Sequence, residues 1–265
     1  MTRTEPAPLP PRPGEGGRAA TGWGGLSDGS AAVSLNRPHP ASPSAPPPSP
    51  NGEGERQTTS LDAVLANIRA CRACLGQLPH TPRPVVRVFP ETRLLICGQA
   101  PGRRVHESGL PFTDPSGDRL RDWMGVDYET FYADHRLGVA AQAFCYPGTA
   151  PKGGDYPPPR RCAELWRPRL LAELPEMELT LLVGGYAQVW ALGGRAKTNM
   201  TETVRAWREY GPSVLPLPHP SWRNTAWLRR NPWFEAEVLP YLRGRVRAIL
   251  SPSAHPREGG GPVFS

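Results

Sequence analysis

The clearest pattern in the chain is the apolar run Leu94-Leu-Ile-Cys97, which stops at once in Gly98-Gln-Ala-Pro-Gly102. Consecutive apolar residues without polar alternation predict a strand buried on both faces, as in a parallel sheet. Three more strands are predicted. Leu137 to Cys145 ends in Tyr146-Pro-Gly148, Glu178 to Val183 is closed by Gly184-Gly185, and Ser213 to Leu217 runs into His219. Helical spacing fills the intervals. Thr59 and Ser60 open a helix through Cys71, with Leu61, Val64, Leu65 and Ile68 on one face and Asp62 in its first turn. Short helices are predicted over Asp118 to Met124 and Tyr128 to Tyr132, and a longer one carries Leu165, Trp166, Leu170 and Leu171. A helix follows Gly184-Gly185 through about Leu192, and others run from Thr201 to Glu209 and from Trp233 to Leu250. Pro79 to Pro90 reads as a loop or irregular edge, and the Gly/Pro-rich stretch Gly148 to Pro159 as a loop. Strands alternating with helices predict a three-layer α/β/α sandwich around a short parallel sheet of about four strands.

Composition divides the chain. Residues 1–56 hold 12 prolines, 9 glycines and few large apolar residues, with five acids against five arginines. Such a segment cannot bury enough apolar surface to offset its ordering entropy, so it is expected to be a disordered tail. It has neither the apolar core of a secretory signal nor the arginine content of a transit peptide. The folded domain is expected over 57–250, followed by a second polar tail, 251–265. The formal charge of +7 therefore belongs to the domain, and Lys152 and Lys197 are its only lysines beside many arginines. An arginine-rich basic domain suits a polyanion, because the guanidinium grips phosphate through a planar fork. No apolar run approaches the roughly 20 residues that cross a bilayer. The expectation is an intracellular, cytoplasmic protein with no membrane partner, acting as a monomer.

Two constellations carry candidate chemistry. Cys71-Arg-Ala-Cys74 is a C-x-x-C pair, and Cys145 and Cys162 bracket the Gly/Pro-rich loop. Two cysteine pairs can hold zinc or a [4Fe–4S] cluster, and free buried thiols are the plain alternative. Cys97, inside the first strand, reads as core. The second constellation is His219-Pro-Ser-Trp-Arg-Asn224, which follows the fourth strand and so reaches the same carboxyl edge as Gln99. Aromatic and arginine side chains interleaved at an exposed turn suit nucleic-acid backbones and unstacked bases.

With these residues in view, the chain resembles the uracil-DNA glycosylase superfamily, and within it the iron–sulfur class. Gly98-Gln-Ala-Pro-Gly102 is similar to that class's first motif, G-E-A-P-G. Gly109-Leu-Pro-Phe112 with Gly117 to Leu120 matches its G-x-P-F…G-x-x-L segment, and His219-Pro-Ser221 matches its H-P-S motif. The resemblance implies a monofunctional N-glycosyl hydrolase that acts on DNA containing uracil or another deaminated base. It implies that His219 contacts uracil O2, that Phe112 stacks on the extruded base, and that Ala100, Pro101, Gly102 and Ser221 shape the base pocket. It also implies a structural [4Fe–4S] cluster on Cys71, Cys74, Cys145 and Cys162, which presents Arg160 and Arg161 to phosphate. Trp222, Arg223 and Asn224 are expected on DNA, with Trp222 or Arg223 as the wedge. His106, Glu107 and Asp114 sit on the mouth segment.

The departures are specific. Gln99 stands where the class has an acid, Ala100 where other branches have Asp or Asn, and Ala141 and Gln142 lie near the place of a uracil-reading Asn. Neither Gln99 nor Ala100 can act as a general base. A dissociative reaction tolerates this: the base leaves as an anion through an oxocarbenium-like sugar, His219 donates to the developing charge, and Gln99 orients the water. A member that binds without cleaving, and a glycosylase for another lesion such as hypoxanthine or xanthine, are the alternatives.

Overall fold

The computed structural model describes residues 60–251 apart from residue 152. The expected tails 1–56 and 251–265 lie outside the described residues but for Ser251, as does Thr59 at the expected start of the first helix.

Four parallel strands form one sheet in the order β2-β1-β3-β4: β1 (Leu94–Cys97), β2 (Leu137–Val139), β3 (Leu179–Val183) and β4 (Val214–Leu217). The helices that link them cover both faces, which is the expected three-layer α/β/α sandwich. Leu94 and Ile96 pack on one side with Leu120, Trp123, Phe131 and Phe234. Leu95 packs on the other with α1 (Ser60–Ala70) and α5 (Arg160–Glu173), through Leu65, Ile68, Trp166 and Leu170. The period of two along β1 thus feeds two cores, and the apolar run has no polar face to alternate with. Cys97 is buried in the core, as expected. Pro216 lies in β4, an edge strand where a missing N–H is tolerated.

Three elements differ from the sequence expectation, each for a local reason. The second strand stops at Val139 instead of reaching Cys145. The Ala140 N–H still donates to Ile96 (3.0 Å), but those of Gln142 and Ala143 turn to the carbonyls of Gly98 and Gln99 at 2.8 and 3.1 Å. The chain leaves the sheet to brace the turn after β1. The helix expected over Thr201 to Glu209 breaks into α7 (Met200–Arg205) and a 3-10 turn, Trp207–Glu209. The terminal helix begins as a π turn, Phe234–Val238, before α9 (Leu239–Leu250). Pro240 has no N–H for the Ala236 carbonyl four residues back, so the winding widens there.

Two six-residue helices, α2 (Arg103–Ser108) and α8 (Thr225–Arg230), are too short for periodicity to reveal. Between them in sequence come α3 (Pro115–Met124), α4 (Tyr128–Ala133) and α6 (Gly185–Leu192). The strand order reverses at β1, with β2 on one side and β3 on the other. In open α/β sheets that reversal opens the ligand crevice at the carboxyl ends.

Candidate active site

The turns after β1 and β4 open into one cleft of about 390 Å³. It is lined by Gln99, Ala100, Pro101 and Gly102 after β1, by Phe112 and Asp114 before α3, and by His219, Ser221 and Trp222 after β4. The volume is in the range of small-molecule pockets. The Gly98–Gly102 turn and the His219-Pro-Ser221 turn therefore meet at one sheet edge.

Phe112 is built into the mouth by its backbone. It has φ of +58°, rare for a bulky residue. Its carbonyl accepts from Tyr132 Oη at 3.0 Å and from Arg121 Nη1 at 3.1 Å. Arg121 is itself buried and paired with Asp118 at 2.5 Å. The ring meets Phe131 edge to face, with centroids 6.2 Å apart. One side is thus fixed against the core while the other lines the cleft.

His219 is held by its own turn. Its Nδ1 accepts the Ser221 N–H at 3.2 Å, and Asn224 Nδ2 donates to its carbonyl at 2.7 Å. Arg119 Nη1 donates to the Ser221 carbonyl at 3.1 Å, and Ser221 Oγ accepts from the Arg223 N–H at 3.3 Å. Burial lowers the imidazole's affinity for a proton, with Asp114 opposing, so the ring is neutral at pH 7. An accepting Nδ1 puts the proton of that neutral ring on Nε2. A neutral donor aimed from a rigid turn can stabilise negative charge without giving up its proton.

Gln99 is tied to the loop opposite: its Nε2 donates to the Tyr156 carbonyl at 3.3 Å, which leaves Oε1 as an acceptor. The loop is a small hairpin closed by a Thr149–Asp155 bridge. Its Asp155 carboxylate also lines the cleft, beside Arg103 and Arg104. Trp222 stands at the rim, 73% exposed, with the Arg223 guanidinium 5.6 Å from its ring centroid.

Some expected residues do not line the cleft. Asn224 faces the His219 carbonyl, so its side chain serves the turn. Arg160 and Arg161 begin α5 away from the cleft, and Arg161 Nη1 donates to the Ala73 carbonyl at 3.2 Å. His106 packs against His80 with centroids 4.2 Å apart, and the carbonyls of His106 and Glu107 are both held by Arg83 Nη1. Of the mouth-segment candidates, Asp114 alone lines the cleft. Arg103, Arg104 and Asp155 were not singled out in the sequence. The Gly153-Gly154 pair, both at positive φ, was the available sign that the loop before Asp155 makes a tight turn.

Cys71, Cys74, Cys145 and Cys162 line a second cavity, between the end of α1 and the start of α5. Its other walls are mainly apolar, with Ile68, Phe144, Leu165 and Trp166 among them. Three N–H groups point at the sulfurs: Trp166 Nε1 to Cys71 and the Phe144 amide to Cys162, both at 3.3 Å, and the Arg83 amide to Cys145. Burial and neighbouring thiols push Cys145 up to about 12, and burial raises Cys162 to about 11. Among the described residues, no three His, Cys, Asp or Glu side chains converge closely enough to hold a single metal ion. Four thiols lining an apolar cavity and met by N–H donors are of the chemistry that ligates soft metals, as a zinc ion or an iron–sulfur cluster.

The sequence model of the Uracil DNA glycosylase superfamily matches residues 86–243, which include every cleft residue named above and exclude Cys71 and Cys74. Among solved structures, a putative uracil DNA glycosylase from Methanosarcina acetivorans is similar at 18% identity. That match covers 61% of this chain and 98% of the other, with a TM-score of 0.35. SMUG2 from Pedobacter heparinus is similar at 14% identity over 59% of this chain and 74% of that one, with a TM-score of 0.31. Among the described residues no helix is long and apolar enough to cross a membrane.

Proposed function

This chain belongs to the uracil DNA glycosylase superfamily, and from that premise we propose that it removes uracil or a related deaminated base from DNA by monofunctional hydrolysis of the N-glycosidic bond. The observation that carries the reading is His219, with its Nδ1 occupied by the Ser221 N–H, in one cleft with Phe112.

In this reading the duplex is opened at the lesion, and Trp222 takes the space of the departing base. The extruded base stacks on Phe112 and reaches Ala100, Pro101 and Gly102. As the glycosidic bond lengthens, charge gathers on the base oxygen, and His219 Nε2–H donates to it. Water adds to the oxocarbenium-like sugar, oriented by Gln99 Oε1, and an abasic site remains. Arg103, Arg104 and Arg223 at the rim hold phosphates on either side. The protein acts as a monomer on intracellular DNA.

We further propose that Cys71, Cys74, Cys145 and Cys162 hold a [4Fe–4S] cluster. When bound, it would supply structural cross-linking and no step of the reaction. Held by these four residues, it would fasten the end of α1 to the start of α5, the side on which Arg161 lies.

The test is a panel of duplexes, each with one uracil, hypoxanthine or xanthine, incubated with the protein and then treated with alkali. Strand scission at the uracil supports the reading. Scission at another lesion alone moves the substrate and keeps the reaction class. Binding to uracil DNA without scission at any lesion replaces the proposal with a non-cleaving role.

A further inference from the structure

We propose that Asp155 is the carboxylate that accepts the proton of the attacking water, in place of the acid that the Gly98–Gly102 turn lacks. The inference rests on the glycosylase reading above. Two carboxylates line the cleft, Asp114 and Asp155. Asp114 is the one whose charge acts on His219. Asp155 lies over the first motif instead: a Cβ built on Gly102 would stand 3.6 Å from its Oδ2.

The loop that delivers Asp155 is fixed at several points. The Ala150 N–H donates to the Gly154 carbonyl at 2.7 Å, and the Tyr156 N–H to that of Gly148 at 2.8 Å. Gly153 and Gly154 have φ of +78° and +87°, and the Arg223 guanidinium lies against them, with Nη1 2.8 Å from a Cβ built on Gly154. The remaining tie is Gln99 itself, which grips the Tyr156 carbonyl. The residue at the usual acidic position thus holds the hairpin that carries an acid. Gln99 acts as a positioning residue as well as a water acceptor.

Asp155 is also free to act. Among the described residues its carboxylate makes no side-chain hydrogen bond and no ion pair, so its lone pairs are open to water. Asp155 is an exposed residue at the cleft mouth, and its partial desolvation raises its proton affinity, which Arg223 and Arg103 oppose and Asp114 reinforces. A carboxylate shifted upward is better matched as a base to neutral pH.

The step balances. The glycosidic bond breaks with its electron pair leaving on the base, the water oxygen bonds to the sugar C1′, and the water proton passes to Asp155. Solvent later takes that proton and protonates the base.

The experiment is single-turnover excision by the wild type, Asp155→Asn and Gln99→Ala across pH 4.5 to 8.5, with DNA binding and thermal melting measured in parallel. The expected result is a loss of about 10²-fold or more in the Asn variant, with binding and melting unchanged. In the wild type the rate rises with pH as Asp155 ionises, and this limb vanishes in the Asn variant. Arg103, Arg223, Asp114 and His219 are the charged and titratable groups around it, and all are retained in that variant. Gln99→Ala is expected to lose rate but keep the limb. A cleaving wild type with an undiminished Asp155→Asn variant overturns this inference alone. A wild type inert on every lesion overturns the glycosylase reading with it.

Discussion

A Cβ on Gly117 would stand 1.9 Å from the carbonyl oxygen of Phe112. That carbonyl is already held by Tyr132 and Arg121 and cannot retreat. The glycine at the start of α3 therefore exists to admit the strained backbone that presents the Phe112 ring. Gly117→Ala is expected to cost about 1–3 kcal/mol, as overpacking usually does, and to displace Phe112. Chemical denaturation would show the first effect and a fall in base excision the second. Phe112→Ala should cost about 1–3 kcal/mol of base binding by lost stacking with less effect on stability, which separates the two roles.

Trp222 makes the opposite prediction. It is 73% exposed, so Trp222→Ala should change stability by no more than about 0.5 kcal/mol. Its effect should appear in excision from duplex DNA and be much smaller on single strands, where no base pair has to be opened. Equal losses on both substrates would remove the wedge role.

Much of this site was legible in the sequence because its signals are local. The Leu94–Cys97 run, the glycines that end it, Phe112 and the His219-Pro-Ser221 turn are each read within a few residues, and the parallel sheet brings them to one edge. The parts that were not legible depend on tertiary contacts. Asp155 sits in a loop with no periodicity, and it reaches the cleft because Gln99 and Arg223 hold that loop. Asn224 is expected on DNA by its place after the His219 motif, and the structure adds a second role that no local pattern shows: its amide closes the His219 turn. The strand expected to reach Cys145 keeps its apolar residues but gives its amides to Gly98 and Gln99.

Stability should depend on pH through two histidines. Burial lowers His219, and burial, with His80 and Arg83 adding, lowers His106, both from an ordinary value of 6.5. The unfolded chain therefore takes up protons first as the pH falls. Their contribution is complete above about pH 6.5 and is lost as the pH drops below it. Denaturation midpoints at pH 8 and pH 5.5 would show the loss, and a His106→Gln/His219→Gln double variant should flatten it.

The cysteine cavity predicts a cofactor signature. Protein prepared without oxygen and supplied with iron and sulfide should carry iron and acid-labile sulfide in equal amounts and absorb in the visible. Cys145→Ser should lose both, and chelation should lower the melting temperature. Bound zinc with no sulfide would replace the cluster by a single metal ion.

The central claim is that His219 stabilises the departing base through Nε2–H, and single-turnover excision by the wild type and His219→Ala tests it most directly. The account predicts alkali-labile cleavage at the lesion by the wild type and a loss of about 10²–10³-fold in the variant, the usual effect of removing one such donor, with DNA binding retained. A His219→Ala variant that cleaves at the wild-type rate would contradict it.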